Sequence, residues 1–165
     1  MSPATAFPIQ RGNPMKTMMS IAAIGLAALG FAGSADAYML SPLSTKFTAT
    51  GPASATLNGA TLTGSGTFRG AVGKGGKGKI TRVKFCGKTG CGEVGAAGLP
   101  WMVKATSATT ATIANATFTS PAGDCGPANM VVTVSGGVIS YNGPFDQCSN
   151  VNLSFTTKPT ISIVR

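Results

Sequence analysis

The stretch that decides the fold is Met130-Val-Val-Thr-Val-Ser-Gly-Gly-Val-Ile-Ser-Tyr-Asn142. Apolar side chains occupy every second position on both sides of the Gly136-Gly137 pair, at Met130, Val132, Val134, Ile139 and Tyr141. A period of two predicts strands with one buried face, and a Gly-Gly pair between two such strands is a typical hairpin turn. The stretch therefore predicts an antiparallel β-hairpin.

The same alternation continues beyond this hairpin. Val151, Leu153 and Phe155 alternate with polar residues, and Ile161 and Ile163 do so after a turn at Lys158-Pro159. Gly, Pro, Thr and Ser interrupt the chain at short intervals, and no stretch after residue 37 repeats apolar residues at a sustained helical period. Further predicted strands are 45–50, 55–62, 66–72, 79–86, 101–106 and 110–119. We expect an all-β fold, a single antiparallel β-sandwich or barrel-like domain.

The N-terminal region has a different character. Met15-Lys16 precedes the apolar residues 17–33, and small residues at Ala35 and Ala37 stand at the −3 and −1 positions before Tyr38. A positive start, a short apolar centre and small residues at the cleavage site are typical of a secretory signal peptide. We expect residues 1–37 to be this signal peptide. Residues 1–14 are either its long basic beginning or an upstream extension left unused when Met15 is the start.

The remaining residues, 38–165, are expected to form one exported β domain, in the periplasm, at the cell surface or outside the cell. The alternative for the apolar stretch is a transmembrane anchor. A membrane-spanning helix needs roughly 20 strongly apolar residues, and this stretch is short and rich in Ala and Gly. We therefore expect no transmembrane anchor in the mature chain.

The four cysteines lie at Cys86, Cys91, Cys125 and Cys148. An even number in an exported chain predicts two disulfides, for which three connectivities exist. The sequence Cys86-Gly-Lys-Thr-Gly-Cys91 is a turn that could bring its own ends together, which favours Cys86–Cys91 with Cys125–Cys148. The competing interpretation is a four-cysteine zinc site, but the spacings lack two close Cys-x-x-Cys pairs. We expect no metal.

Composition excludes several kinds of catalysis. The chain has 13 Lys and Arg, 4 Asp and Glu and no His, giving a net charge of +9. Without histidine there is no Ser-His-Asp or Cys-His catalysis and no His-containing metal site. Glu93, Asp124 and Asp146 stand alone in turn-like sequence, where carboxylates commonly accept hydrogen bonds from local N–H groups. We expect a protein that is not an enzyme and has no cofactor.

Most of the positive charge lies in one run. No acidic residue interrupts residues 69–88, and glycines between the cations would let the backbone approach a polyanion closely. Such a run predicts salt-dependent binding of phosphate, sulfate or carboxylate groups on anionic envelope polymers, and export argues against intracellular nucleic acid. The alternative is a solubilising hairpin tip beside a lysine-guarded edge strand. The candidate anionic-polymer patch comprises Arg69, Lys74, Lys77, Lys79, Arg82, Lys84 and Lys88.

Trp101 is the one tryptophan in the sequence. It begins a predicted strand after Leu99-Pro100, where a core position is expected. The alternative is a surface aromatic that contacts an apolar ligand.

Short motifs in the mature region resemble a known family. With Leu99-Pro100-Trp101, the Thr-rich strands after it, Cys125-Gly126-Pro127 and the late Cys148, the chain from Phe47 onward resembles small exported bacterial proteins of the alkane-oxidation activator family. The resemblance implies secretion and support of growth on long alkanes, without an alkane-oxidising active site and without assigned functional residues. We expect a non-enzymatic accessory protein whose partners are hydrophobic small molecules or anionic envelope polymer.

Two other functions fit the sequence. The protein could be a structural subunit of a surface fibre or extracellular matrix that self-assembles by adding strands at exposed edges. Residues 38–46, with Pro42 among them, would make a poor donor strand for such an assembly. The second is a binder of anionic envelope polymers that acts through the basic run. An apolar groove would favour the handling of hydrophobic substrate.

Overall fold

The computed structural model describes residues 37–88 and 90–165, so the predicted signal peptide lies outside the described residues except for Ala37. Every regular element in the described part of the chain is a β-strand, which confirms the all-β prediction. Those residues contain no helix long and apolar enough to span a membrane. The strands are β1 Met39–Ser41, β2 Thr45–Leu57, β3 Ala60–Val72, β4 Gly78–Gly87, β5 Gly90–Cys91, β6 Gly95–Ala96, β7 Trp101–Ala105, β8 Thr110–Ser120, β9 Gly123–Ser135, β10 Val138–Phe145, β11 Cys148–Lys158 and β12 Ser162–Val164.

Eight of these strands close into a ring. Their order is β3-β2-β11-β10-β9-β8-β7-β4, and β4 pairs back with β3. The neighbours in the ring are antiparallel, so the fold is the barrel-like form of the predicted domain. Within the described residues, the ring has no missing strand of the kind that donor-strand assembly fills.

The hairpin predicted around Gly136-Gly137 is formed by β9 and β10. Ser135 pairs with Val138, and Gly136 and Gly137 between them have φ angles of 56° and 79°, as a two-residue type I′ turn requires. The predicted apolar face of β9 is buried, whereas Val131 on the opposite face is 55% exposed. Periodicity therefore identified both the hairpin and its inner face.

The first two long strands differ from the prediction. β2 and β3 pair over their whole length and form one hairpin with its turn at Asn58-Gly59. These residues have φ angles of 50° and 78°, which Asn and Gly adopt more readily than other residues. The predicted strand 55–62 is therefore wrong at its centre. The predicted strands 45–50 and 66–72 are parts of two longer strands.

The two ends of the ring are built differently. The turns at 58–59, 121–122 and 146–147 lie at one end, called here the open end. The turns at 73–77, 106–109 and 136–137 lie at the other, called the capped end. β1 pairs with β12 to form a two-stranded ribbon there, and Leu40 and Ile161 of this region are buried at 3% and 2% exposure. The ribbon closes the apolar interior at the capped end.

Glycines of the basic run make room for this ribbon. The Leu40 amide donates a hydrogen bond of 2.9 Å to the Gly76 carbonyl. A Cβ atom on Gly76 would lie 2.5 Å from the Met39 Cβ, and one on Gly78 would lie 2.9 Å from the Leu40 Cδ1. These two glycines therefore allow internal packing, a role that the sequence analysis did not give them.

A buried hydroxyl joins three segments at the capped end. Thr157 is 3% exposed. Its Oγ1 donates a 2.8 Å hydrogen bond to the Gly137 carbonyl and accepts a 2.9 Å bond from the Ile161 amide. One side chain thus holds the end of β11 to the β9–β10 turn and to the segment that leads into the ribbon.

Replacing Thr157 by valine keeps the side-chain shape but leaves the buried Ile161 amide without its acceptor. We expect the free energy of unfolding, measured by urea denaturation, to fall by about 1–3 kcal/mol. Thr156→Val is the matched control, because Thr156 is exposed and a surface change of this kind shifts stability by less than about 0.5 kcal/mol. Equal losses in the two variants would contradict the assigned role.

Candidate functional site

Aromatic side chains fill the middle of the ring. Phe68 lies edge-on to Trp101 and Phe155, with ring centroids 6.2 and 4.7 Å apart, and Trp101 lies 5.2 Å from Phe118. Edge-to-face geometry of this kind is favourable for aromatic pairs. Trp101 is 1% exposed and donates a 2.8 Å hydrogen bond to the Ala97 carbonyl. The structure therefore places Trp101 in the core, and the alternative of a surface aromatic is wrong.

A cavity of about 470 Å³ lies at the open end of the ring. Its volume falls in the range of roughly 300–1,000 Å³ that is usual for small-molecule sites. Apolar side chains form most of its wall, and Phe85 and Phe118 connect it to the aromatic cluster. The apolar lining residues include Leu57, Leu62, Val94, Val151 and Leu153.

Part of the cavity wall consists of small residues on the inner face of the β2–β3 hairpin. Ala53 and Ala55 of β2 and Gly64 of β3 line the cavity. Farther from the open end, the same inner face carries Phe47 and Phe68, which are buried in the core. The small residues of this face therefore lie between the aromatic cluster and the two leucines at the tip of the hairpin, Leu57 and Leu62.

The wall of the cavity is incomplete between β9 and β10. These strands pair only between 133–135 and 138–140, so hydrogen bonding between them stops well before the open end. The Cys125–Cys148 disulfide joins β9 to β11 across this gap. The Asp146 carboxylate accepts a 2.8 Å hydrogen bond from the Gly126 amide in the same place. Both cysteines line the cavity. The disulfide and the hydrogen bond therefore connect this part of the wall where backbone hydrogen bonds between β9 and β10 are missing.

A second gap lies between β4 and β7, which pair only between 78–80 and 101–103. The short strand β5 folds back on β4 there, and Cys86 faces Cys91 in register and is bonded to it. Glu93 and Val94, which follow β5, complete the wall. The sequence contained no periodic signal for this segment, because it has two short strands and no sustained alternation.

Both favoured disulfides are present, and together they use all four cysteines. No thiolate is left for the competing zinc site. Elsewhere in the described residues, no group of three or more His, Cys, Asp or Glu is arranged to hold a metal ion. Two disulfides indicate an oxidising, non-cytoplasmic environment.

The predicted basic patch is divided by the structure. Lys77 and Lys88 flank the two ends of β4 and are about 35 Å apart at roughly 3.3 Å per residue. Lys74 and Lys77 lie in the turn at the capped end, whereas Lys88 lines the cavity at the open end. The remaining members of the patch are exposed residues of β3 and β4, namely Arg69, Lys79, Arg82 and Lys84.

Comparison with known proteins adds one finding. The family model described as alkane oxidation protein activator, PraA/PraB-like, matches residues 13–165. The match includes every strand of the ring, the cavity and both disulfides. No curated protein and no solved structure matches the chain.

The two disulfides should differ in their contribution to stability. Cys125 and Cys148 are 23 residues apart and Cys86 and Cys91 only 5, and the entropy that a cross-link removes from the unfolded chain grows with loop length. We expect Cys125→Ser/Cys148→Ser to lower the free energy of unfolding by about 3 kcal/mol and Cys86→Ser/Cys91→Ser by about 2 kcal/mol. Urea denaturation of both variants measures this. The reverse order would contradict the bracing role given to Cys125–Cys148.

Proposed function

Since the chain belongs to the PraA/PraB-like family of alkane oxidation activators, we propose that it is a non-enzymatic exported protein that helps the cell handle hydrophobic substrate. In this proposal it acts at the cell surface or in the medium and holds part of an alkyl chain. The observation that carries the proposal is the apolar cavity of about 470 Å³ at the open end of the ring.

The lining suits a ligand without polar groups. Ala55, Leu62 and Val94 are partly exposed and offer aliphatic surface, and transfer of each methylene from water to such surface is worth about 0.8 kcal/mol. Two lining residues, Lys88 and Glu93, carry charged side chains. Lys88 follows β4 and Glu93 follows β5, so both belong to the part of the wall formed near these strands. An alkyl chain would therefore contact the apolar wall and leave these charges in water.

The chemistry of the lining supports a holding role over an oxidising one. The cysteines among the lining residues are bonded in disulfides, so none supplies a thiolate nucleophile or ligand. Histidine is absent from the whole sequence. In the proposal, alkane oxidation is performed by another protein, and this one affects how much substrate reaches it.

Export of the domain is part of the proposal. The predicted signal peptide at residues 1–37 and the two disulfides both suit a compartment where thiols are oxidised. Long alkanes are met outside the cytoplasm, which is where such a carrier would be of use.

Binding of alkyl chains can be measured through Trp101. It is the one tryptophan and contacts Phe118, which lines the cavity. We expect 1-bromoalkanes to quench its fluorescence, with the affinity rising about fourfold for each added methylene until the cavity is full. Affinity that does not depend on chain length would contradict binding of the chain inside the cavity.

Filling the cavity should abolish this binding. Ala55→Phe places a ring into the space that the small inner residues leave, so we expect at least a tenfold loss of bromoalkane affinity. Val131→Phe is the matched control, because Val131 is 55% exposed on the outer face of β9 and lies outside the cavity. Near-ultraviolet circular dichroism of both variants verifies that the core is intact. Equal affinity in Ala55→Phe and the parent protein would exclude the cavity as the site.

The cellular role needs a separate test. Deleting the gene should slow growth on long alkanes and leave growth on succinate unchanged, and the parent gene should restore growth where Ala55→Phe does not. Equal growth of the deletion strain and its parent on both carbon sources would exclude the proposed function.

A further inference from the structure

We infer that the outer face of strands β11, β2, β3, β4 and β7 is a docking surface for an anionic lipid membrane, with its cations on lipid phosphate groups. The inference goes beyond the proposed function and does not depend on the cavity. We call this surface the cationic face. It consists of Lys46, Arg69, Lys79, Arg82, Lys84 and Lys158, with Met102 at its border.

Strand register places these residues together. Residues directly opposite each other in a sheet point to the same side, and so do residues two apart along a strand. One row across the sheet is Lys158, Thr48, Arg69 and Arg82, and the next is Lys46, Ala71, Lys79 and Met102. A third row joins Thr50, Thr67 and Lys84. Lys46 and Lys158 come from strands far from the basic run in sequence, so the sequence alone did not include them.

The arrangement of charge on this face favours an anionic partner. Arg69 and Arg82 stand directly opposite each other on neighbouring strands, where like charges are destabilising. The acidic residues of the described part of the chain are Glu93, Asp124 and Asp146, which lie toward the open end and away from this pair. Phosphate groups would relieve the repulsion that the protein itself leaves in place.

The face is also shaped as a shallow basin. A depression of about 430 Å³ on the outer side of the sheet has Lys46, Arg69, Lys79 and Lys158 around it. A β-bulge opposite Arg69 adds the exposed residue Thr81 to β4, and the Thr81 hydroxyl donates a 3.3 Å hydrogen bond to the Arg69 carbonyl. Four cations from four strands therefore surround one depression.

An exposed apolar side chain favours a membrane over a soluble polyanion. Met102 is 50% exposed and stands directly opposite Lys79. Surfaces that bind membranes combine cations with apolar residues that enter the boundary between headgroups and acyl chains. Acyl chains offer Met102 more apolar surface than a charged polysaccharide does, so a lipid surface is the partner that fits this face best.

Vesicle binding of the mature domain tests the inference. Phosphatidylglycerol and phosphatidylcholine vesicles are compared by co-sedimentation at low and high salt, with an unbranched carboxylated polysaccharide as a competitor. We expect binding to the anionic vesicles alone, weakened by salt. Arg69→Gln and Lys79→Gln should each lower the affinity about fivefold, as expected for one cation at an anionic lipid surface.

Two further variants separate the face from general charge effects. Val131→Lys adds one positive charge on the outer face of β9, on the opposite side of the ring and outside the cavity, so it should leave vesicle affinity within about twofold of the parent. Met102→Ser should weaken vesicle binding at least twofold with no change in charge. Urea denaturation of each variant verifies that it is folded. The salt dependence of vesicle binding is measured on the unmodified protein, so that test does not depend on any variant folding correctly.

Several outcomes would overturn the inference. These are no binding to anionic vesicles at low salt, equal binding to neutral vesicles, or a gain in Val131→Lys as large as the loss in Arg69→Gln. Binding of the polysaccharide at least as tightly as the vesicles, with no effect of Met102→Ser, would assign the face to anionic polymer instead.

Discussion

Closure of eight strands into one ring is the constraint on which the other features depend, because it fixes the space inside. A ring of about eight strands has an interior just wide enough for side chains to fill, or for one small ligand. Phe68, Trp101 and Phe155 fill the half nearer the capped end. At the open end the same ring meets Ala53, Ala55 and Gly64, and the space remains. Core and cavity are thus two outcomes of one geometry, decided by the size of the side chains that the strands direct inward.

The cations proposed to bind lipid and the cavity proposed to bind alkyl chains lie on different parts of the ring. The cations of the cationic face lie on the side of the ring, along β2, β3, β4 and β11, whereas the cavity lies at its open end. The net charge of +9 is therefore informative only once it is placed on the fold, because Lys88, Lys74 and Arg69 belong to three different parts of it.

Sequence reasoning succeeded where local chemistry determines structure. The alternation at Met130, Val132 and Val134 gave both a strand and its inner face, and the turn within 86–91 gave the correct cysteine pairing. It failed where distant segments meet. The dipeptide Asn58-Gly59 is a local signal for a hairpin turn. In contrast, no local sequence pattern shows that Lys158 lies in one row with Arg69. The cavity was equally hidden, because it results from the absence of large side chains on strands that meet only in the closed ring.

An apolar cavity at an open end lowers the stability of the fold relative to a filled core. The loss is about 25 cal/mol of folding free energy for each Å² of apolar surface left in contact with water. This end also lacks hydrogen bonds between β9 and β10 and has little pairing between β4 and β7. The two disulfides lie at those two gaps, and cysteines of both line the cavity. Bonds that constrain the unfolded chain offset the weakness of such an end without filling it. Disulfides persist where thiols are oxidised, so the bonds that brace the cavity also indicate an oxidising, non-cytoplasmic environment.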